Sequence, residues 1–194
     1  MSAAKMNLGG VTALIVDDDK YGVTVLVQML RGMGLDETTV VETGAEAKRV
    51  LTNHLFDLCI VEGELPDMKG SEVIQWIRHL DSAARFTPII VLTGYSRASS
   101  VAAARDAGAH IVIRKPASPQ ILYDRIAWAA RSPRPFVDAP VYAGPDRRFR
   151  SLGPPGGEGR RATDLKGDIG EATEPNMSQE EIDAMIRPTK IFAA

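Results

Sequence analysis

The chain has 194 residues, a formal net charge of −2 and a pI near 5.9, a balance that argues against wholesale binding to nucleic acid or to an anionic membrane. A hydrophobic fraction of 44% supports a packed core, and no apolar run approaches the ~20 residues of a bilayer span. The N-terminal MSAAKMNLGG lacks the apolar centre of a secretory signal, so a cytoplasmic protein is expected, with Cys59 a small buried hydrophobe rather than a disulfide partner.

Residues 1–10 carry no element and are expected to be disordered. VTALIV (11–16) is a continuous apolar run, the pattern of a strand covered on both faces. The spacing of Val23, Leu26, Val27, Leu30 and Met33 predicts a helix that stops at Gly34. TTVVE is a second strand. GAEAKRVLTNHLF is a second helix with Ala47, Val50, Leu51 and Leu55 inward. DLCIVE is a third strand, and SEVIQWIRHL a helix burying Val73, Ile74, Ile77 and Leu80. PIIVLT and the alanine-rich SSVAAARDAG follow, then the short strand IVI (111–113). Ser118-Pro119, an N-cap and a first-turn proline, opens a last helix burying Ile121, Leu122, Ile126 and Ala129.

Five repeats of strand then helix, joined by right-handed crossovers, make an α/β fold: a doubly wound, five-stranded parallel sheet over residues 11–131. Loops at the carboxyl ends of the strands form the site in such sheets. Those ends carry Asp17, Asp18 and Asp19, then Glu62, Thr93, and Lys115-Pro116. Carboxylates suit Mg²⁺, a lysine offers a point charge to phosphoryl oxygens, and a threonine hydroxyl can donate to them. The neighbouring Asp19, Glu64 and Asp67 read as solvated loop charges, and His54, His79 and His110 lack metal-ligand spacing.

In order and at these spacings, ALIVDDD, DLCIVEGELPDMKG, PIIVLTG and GAHIVIRKP resemble the receiver domain of two-component response regulators, the chemotaxis-type receiver. The resemblance implies a flavodoxin-like sheet of strand order 2-1-3-4-5. It implies a Mg²⁺ site at Asp17, Asp18, Glu62 and the Glu64 carbonyl, and a phosphoryl-sensing pair, Thr93 and Lys115. Two positions depart from the family pattern. Glu62 stands where the resemblance places the phospho-accepting aspartate, and Val112 where many receivers carry a switch aromatic. Asp57 begins its strand at the far edge and is no substitute. One extra methylene moves the Glu62 carboxylate by about 1.5 Å, towards Thr93 and Lys115. The expected result is a receiver that is not phosphorylated, in which Glu62 either imitates the phosphorylated state or only fills the pocket.

After Arg131 come eight of the 12 prolines and seven of the 17 glycines, so residues 132–176 read as a linker without an inner strand or a second domain. Its arginine groups (147–150 and 160–161) alternate with acids, which favours a solvated linker over RNA or an acidic partner. MSQEEIDAMI then predicts a short helix over 177–188, with Ser178 and Glu181 as a capping box and Ile182, Met185 and Ile186 on one stripe; residues 189–194 are expected to be disordered. A helix this short needs a groove. The segment resembles the receiver-binding N-terminal peptide of the flagellar motor switch protein. That likeness implies docking of Glu181, Ile182, Met185 and Ile186 on its own or another receiver's output face.

The expected function is therefore a non-enzymatic signalling module of a two-component or chemotaxis pathway. Its partners would be proteins: another receiver, a kinase or phosphotransfer protein, or a flagellar switch component, with no membrane. Two alternatives stand beside it: a regulator phosphorylated by a histidine kinase or phosphotransfer protein, and RNA or acidic-partner binding through the arginine-rich tail.

Overall fold

The structure, a computed structural model, describes residues 8–131, 135–139, 142–146 and 177–186. The strands are β1 (Thr12–Val16), β2 (Glu37–Val41), β3 (Leu58–Val61), β4 (Ile89–Thr93) and β5 (Ile111–Arg114). The helices between and after them are α1 (Lys20–Gly32), α2 (Gly44–Asn53), α3 (Gly70–Arg78), α4 (Ala98–Asp106) and α5 (Pro119–Arg131). The sheet order is β2-β1-β3-β4-β5 and every pairing is parallel, the doubly wound topology that the strand–helix alternation implies.

Period-two alternation sorts the strands between two cores. Leu14 and Val16 of β1 face α2, α3 and α4, whereas Ala13 and Ile15 face α1 and α5. The central strands β1, β3 and β4 are apolar because both faces are covered, and edge strand β2 keeps Thr39 and Val40 exposed. Among the described residues no helix is long and apolar enough to cross a membrane.

Several local expectations change. Leu8 is buried and its amide donates to the Met33 carbonyl, so ordered packing begins before Val11. The second helix ends at Asn53, because four residues must turn the chain into β3, and Leu55 is left 62% exposed. Leu80 lies beyond α3 and is half-buried, while Arg78 is fully buried. Asp19 is not a free loop charge: it caps α1, accepting from the Tyr21 and Gly22 amides. Asp67 likewise accepts from the Gly44 and Ala45 amides at the start of α2, and those bonds hold its carboxyl below the usual range.

Within the segment read as linker, β6 (Phe136–Ala139) and β7 (Tyr142–Pro145) pair as an antiparallel hairpin. Four-residue strands with proline at their margins escape a rule against inner strands, because this hairpin forms a separate two-stranded sheet. It packs at the end of the large sheet opposite the acidic residues, where the Ala143 carbonyl would lie 2.6 Å from any Cβ on Gly108. Gly108 has φ +102°, so both the backbone conformation and the close approach require glycine there. Residues 1–7 and 189–194, expected to be disordered, 187–188, expected to close the last helix, and 132–134, 140–141 and 147–176 of the expected linker lie outside the described residues.

Candidate functional site

The β1, β3 and β5 ends converge on one cluster. Lys115 Nζ lies 2.6 Å from Asp17 Oδ2 and 2.6 Å from Glu62 Oε2, so a single ammonium bridges two buried carboxylates. The remaining oxygens are also engaged: Asp17 Oδ1 accepts from the Asp19 amide at 3.0 Å, and Glu62 Oε1 from the Gly63 amide at 2.6 Å. Burial opposes the charge on Lys115, but its hydrogen bonds to Asp17 and Glu62, and their charges, outweigh it and hold the lysine above its ordinary pKa. The Lys115–Pro116 peptide is cis. Gly70 lets α3 begin directly over this cluster, since a Cβ there would meet the Glu62 carbonyl oxygen at 2.1 Å.

Other candidate residues are placed differently. Asp18 is exposed, and Glu64 lies on an exposed loop bridged to Lys69. Thr93 is buried, and its hydroxyl accepts from the Tyr95 amide at 3.1 Å rather than meeting Glu62. The longer side chain of Glu62 therefore reaches Lys115 but not Thr93. Val112 is buried in β5. Asp57 sits at the opposite edge, where the Thr12 amide and hydroxyl bind it and lower its pKa. Burial pushes the Cys59 thiol up to about 12, which makes it a packing residue.

Asp17, Asp18 and Glu62 are hard oxygen donors of the kind that hold Mg²⁺, and an ion shared by Asp17 and Glu62 would take the place of the Lys115 ammonium. Among the described residues no three His, Cys, Asp or Glu side chains are grouped to hold a metal.

A second site lies on α4, β5 and α5. There α6 (Gln179–Ile186) packs with Ile182 fully buried, and Met177, Met185 and Ile186 lie against the same core as Val101, Ala104 and Val112. The Gln179 amide forks onto the free edge of β5: Oε1 accepts from the Arg114 amide at 2.9 Å and Nε2 donates to the Val112 carbonyl at 3.3 Å. Gln179 Nε2 also donates to Asp183, whose other oxygen accepts from Arg125 of α5. Met177 and Ser96 exchange two bonds, Met177 amide to Ser96 carbonyl (2.8 Å) and Ser96 hydroxyl to Met177 carbonyl (2.9 Å).

Sequence patterning placed Ile182, Met185 and Ile186 on the docking stripe but missed Gln179 and Asp183, because it scores apolar spacing and not polar reach. Glu181 is exposed, and its carboxylate accepts from the Ser178 amide and hydroxyl; it caps the helix instead of contacting the groove. Those bonds lower its pKa.

A parallel 2-1-3-4-5 sheet, an acidic pair after β1, a carboxylate after β3, a threonine after β4 and a Lys-Pro after β5 define a response-regulator type of signalling domain. The family model "Response regulator receiver domain" matches residues 13–127, and the chain belongs to that family. It is 33% identical over 144 residues to the response regulator protein PilR of Pseudomonas aeruginosa, covering 74% of this chain but only 31% of PilR. It is 26% identical over 113 residues to the chemotaxis protein CheY of the same organism, covering 58% of this chain and 90% of CheY. A putative response regulator from Chloroflexus aurantiacus superposes with a TM-score of 0.56 at 32% identity, covering 62% of this chain and 98% of that one. The receiver domain of sensor histidine kinase PA1611 from Pseudomonas aeruginosa PAO1, with magnesium coordinated in its active-site cleft, superposes at 0.57 and 26% identity, covering 63% and 99%.

Proposed function

We propose that this chain is a receiver of a two-component or chemotaxis pathway that works without phosphorylation, as a non-catalytic binding module whose own C-terminal helix occupies its output face. The observation that carries this reading is the Glu62–Lys115–Asp17 bridge. The lysine suited to a phosphoryl group already bridges two carboxylates at 2.6 Å. In-line phosphoryl transfer requires an acceptor oxygen placed and unencumbered, and both Glu62 oxygens are hydrogen-bonded within the protein. Lys115 also supplies the positive charge that Mg²⁺ would bring, so the pocket needs no metal to hold its carboxylates together.

Output then depends on the tail. A protein partner gains access to the α4–β5–α5 face by displacing α6, and the freed helix can dock on another receiver, a kinase or phosphotransfer protein, or a flagellar switch component. Thr93 and Val112 support this division, because neither contacts Glu62 through a hydrogen bond while β5 carries the tail.

The test is intact-mass spectrometry after incubation with Mg²⁺ and acetyl phosphate. No added phosphate is expected on the natural chain, whereas Glu62→Asp, which withdraws the carboxylate by about 1.5 Å, is expected to label. Stoichiometric labelling of the natural chain would establish it instead as a phosphorylatable regulator.

A further inference from the structure

The five-stranded sheet has two edges, β5 and β2, and they are finished differently. On β5 the outward amide of Arg114 and carbonyl of Val112 are taken by the Gln179 fork. On β2, among the described residues, no strand pairs with the outer side. The Val41 carbonyl accepts from the Asp17 amide, so the odd positions of β2 turn their backbone groups towards β1. By the two-residue period, Thr38 and Val40 turn theirs outwards. Glu42, next in that row, has its amide held by Glu46 Oε2 at 2.9 Å, which closes the bare edge at its far end.

Sheet edges are blunted by proline, lysine, a bulge or a covering element. ETTVV contains neither proline nor lysine, and its register with β1 runs unbroken from Glu37 to Val41. Its β-branched residues favour extended pairing, and Val40, on the α1 face with its register partner Ile15, is 42% exposed. The flanks of this edge are acidic. Asp36 and Glu37 precede it and Glu42 follows it, all exposed, with Lys20 of α1 paired to Glu42 across solvent at 3.4 Å. These charges select the occupant. Antiparallel pairing of two copies about Thr39, the middle of β2, would set Asp36 of one against Glu42 of the other, and like charges placed opposite one another are repulsive. A strand with cations at its ends meets the same acids favourably.

We propose that the outer edge of β2 is a docking site for an extended, basic segment of another protein, added to the sheet as a further strand. That segment carries β-branched or apolar residues at alternate positions beside Val40, and lysine or arginine at its ends. Thr38 and Val40 supply the backbone bonds, while Asp36, Glu37 and Glu42 supply the charge that selects the partner. The surface lies on the opposite edge of the sheet from α6, and the proposal does not rest on the self-docking reading.

The test uses the full chain and a synthetic Val-Thr-Val-Thr-Val peptide flanked by lysine at both ends, compared with the same peptide flanked by glutamate. At about 1 mM the lysine-flanked peptide is expected to raise exchange protection of the Thr38 and Val40 amides about ten-fold, with the Thr39 and Val41 amides, which face β1, unchanged. The glutamate-flanked peptide is expected to give less than about two-fold, and the gap should narrow between about 0.05 and 0.5 M salt. Asp36→Lys/Glu37→Lys is expected to reverse the preference, with the β1, β3 and β4 amides reporting that the fold is kept. No protection of Thr38 and Val40 by the lysine-flanked peptide overturns the proposal and leaves the acids as a guard against edge pairing. Equal protection by both peptides, or an unreversed preference in the folded charge-reversed chain, also overturns it. So does a free chain that is dimeric with both amides already protected, which assigns the edge to a second copy.

Discussion

The hairpin β6–β7 and the helix α6 both lie beyond the five repeats and both pack on them, but by different means. The hairpin lies beside a buried cation, with the Ala143 carbonyl and Arg78 flanking Gly108. Arg78 donates to the carbonyls of Gly108, Arg85 and Thr87 and contacts His110 Nδ1, so its charge is solvated by backbone instead of a carboxylate. Burial draws its pKa down to about 10, which still leaves it charged at neutral pH. Above it, Phe136 meets Phe86 edge-on at 4.8 Å, with Arg85 over both rings and paired to Asp138. The helix α6 has one fully buried anchor, Ile182, and its polar ties are mostly single side-chain bonds. The backbone contacts of Arg78 beside the hairpin fail only with the fold. Contacts made by side chains on a short helix can be exchanged one by one, and the α6 end is accordingly the one suited to signalling.

The sharpest way to break this contrast is at Arg78. Arg78→Ala leaves three carbonyls without a donor and opens a cavity, and about 4 kcal/mol of global stability should be lost in urea melts. Ile182→Asp should instead release only α6. Placing a carboxylate in the groove is expected to raise exchange at the α6 amides by about 100-fold, while the β1, β3 and β4 amides keep their protection. If the central strands also lose protection, the helix is a fixture like the hairpin.

Gln179→Ala removes the fork on β5 and should loosen docking by about ten-fold, roughly 1.4 kcal/mol, measured by the same exchange. Gln179→Glu should be worse than alanine, since it sets a carboxylate against the Val112 carbonyl. The smallest effect is in pH. Lys115 has a folded-state pKa above its unfolded value, so its contribution is complete below about pH 10.4 and is lost as pH rises through the folded pKa. Stability should therefore show no Lys115-dependent change from pH 7 to about 10 and fall beyond it, and Lys115→Met should abolish that alkaline limb.

Much of this was legible in the residues. VTALIV, DLCIV and PIIVL announce covered strands because continuous apolar runs need two covered faces. Asp17, Glu62, Thr93 and Lys115 follow from standing at strand ends. What stayed hidden has a common cause. Arg78 lies in a helix that sequence reads as ending in polar residues, and only the approach of Gly108, Arg85 and Thr87 makes its burial affordable. Gln179 and Asp183 look like solvated helix surface until β5 and α5 lie beside them. Asp67 reads as a loop charge because a cap formed across 22 or 23 residues has no local spacing to reveal it, whereas Asp19 caps the amides two and three residues on, a local spacing that the sequence does carry.

Sequence alone determined the doubly wound sheet, the edge that carries the candidate site, and the presence of Glu62 at the end of the third strand, because period, composition and residue type are properties of the chain itself. Tertiary structure decided which group Glu62 pairs with and where the tail rests. A methylene's worth of reach has meaning only when the distance to Lys115 is known, and it selected Lys115 over Thr93. A short amphipathic helix declares that it needs a groove. Only the assembled face of α4, β5 and α5, with an unpaired strand edge for Gln179 and a cation for Asp183, shows which groove it takes.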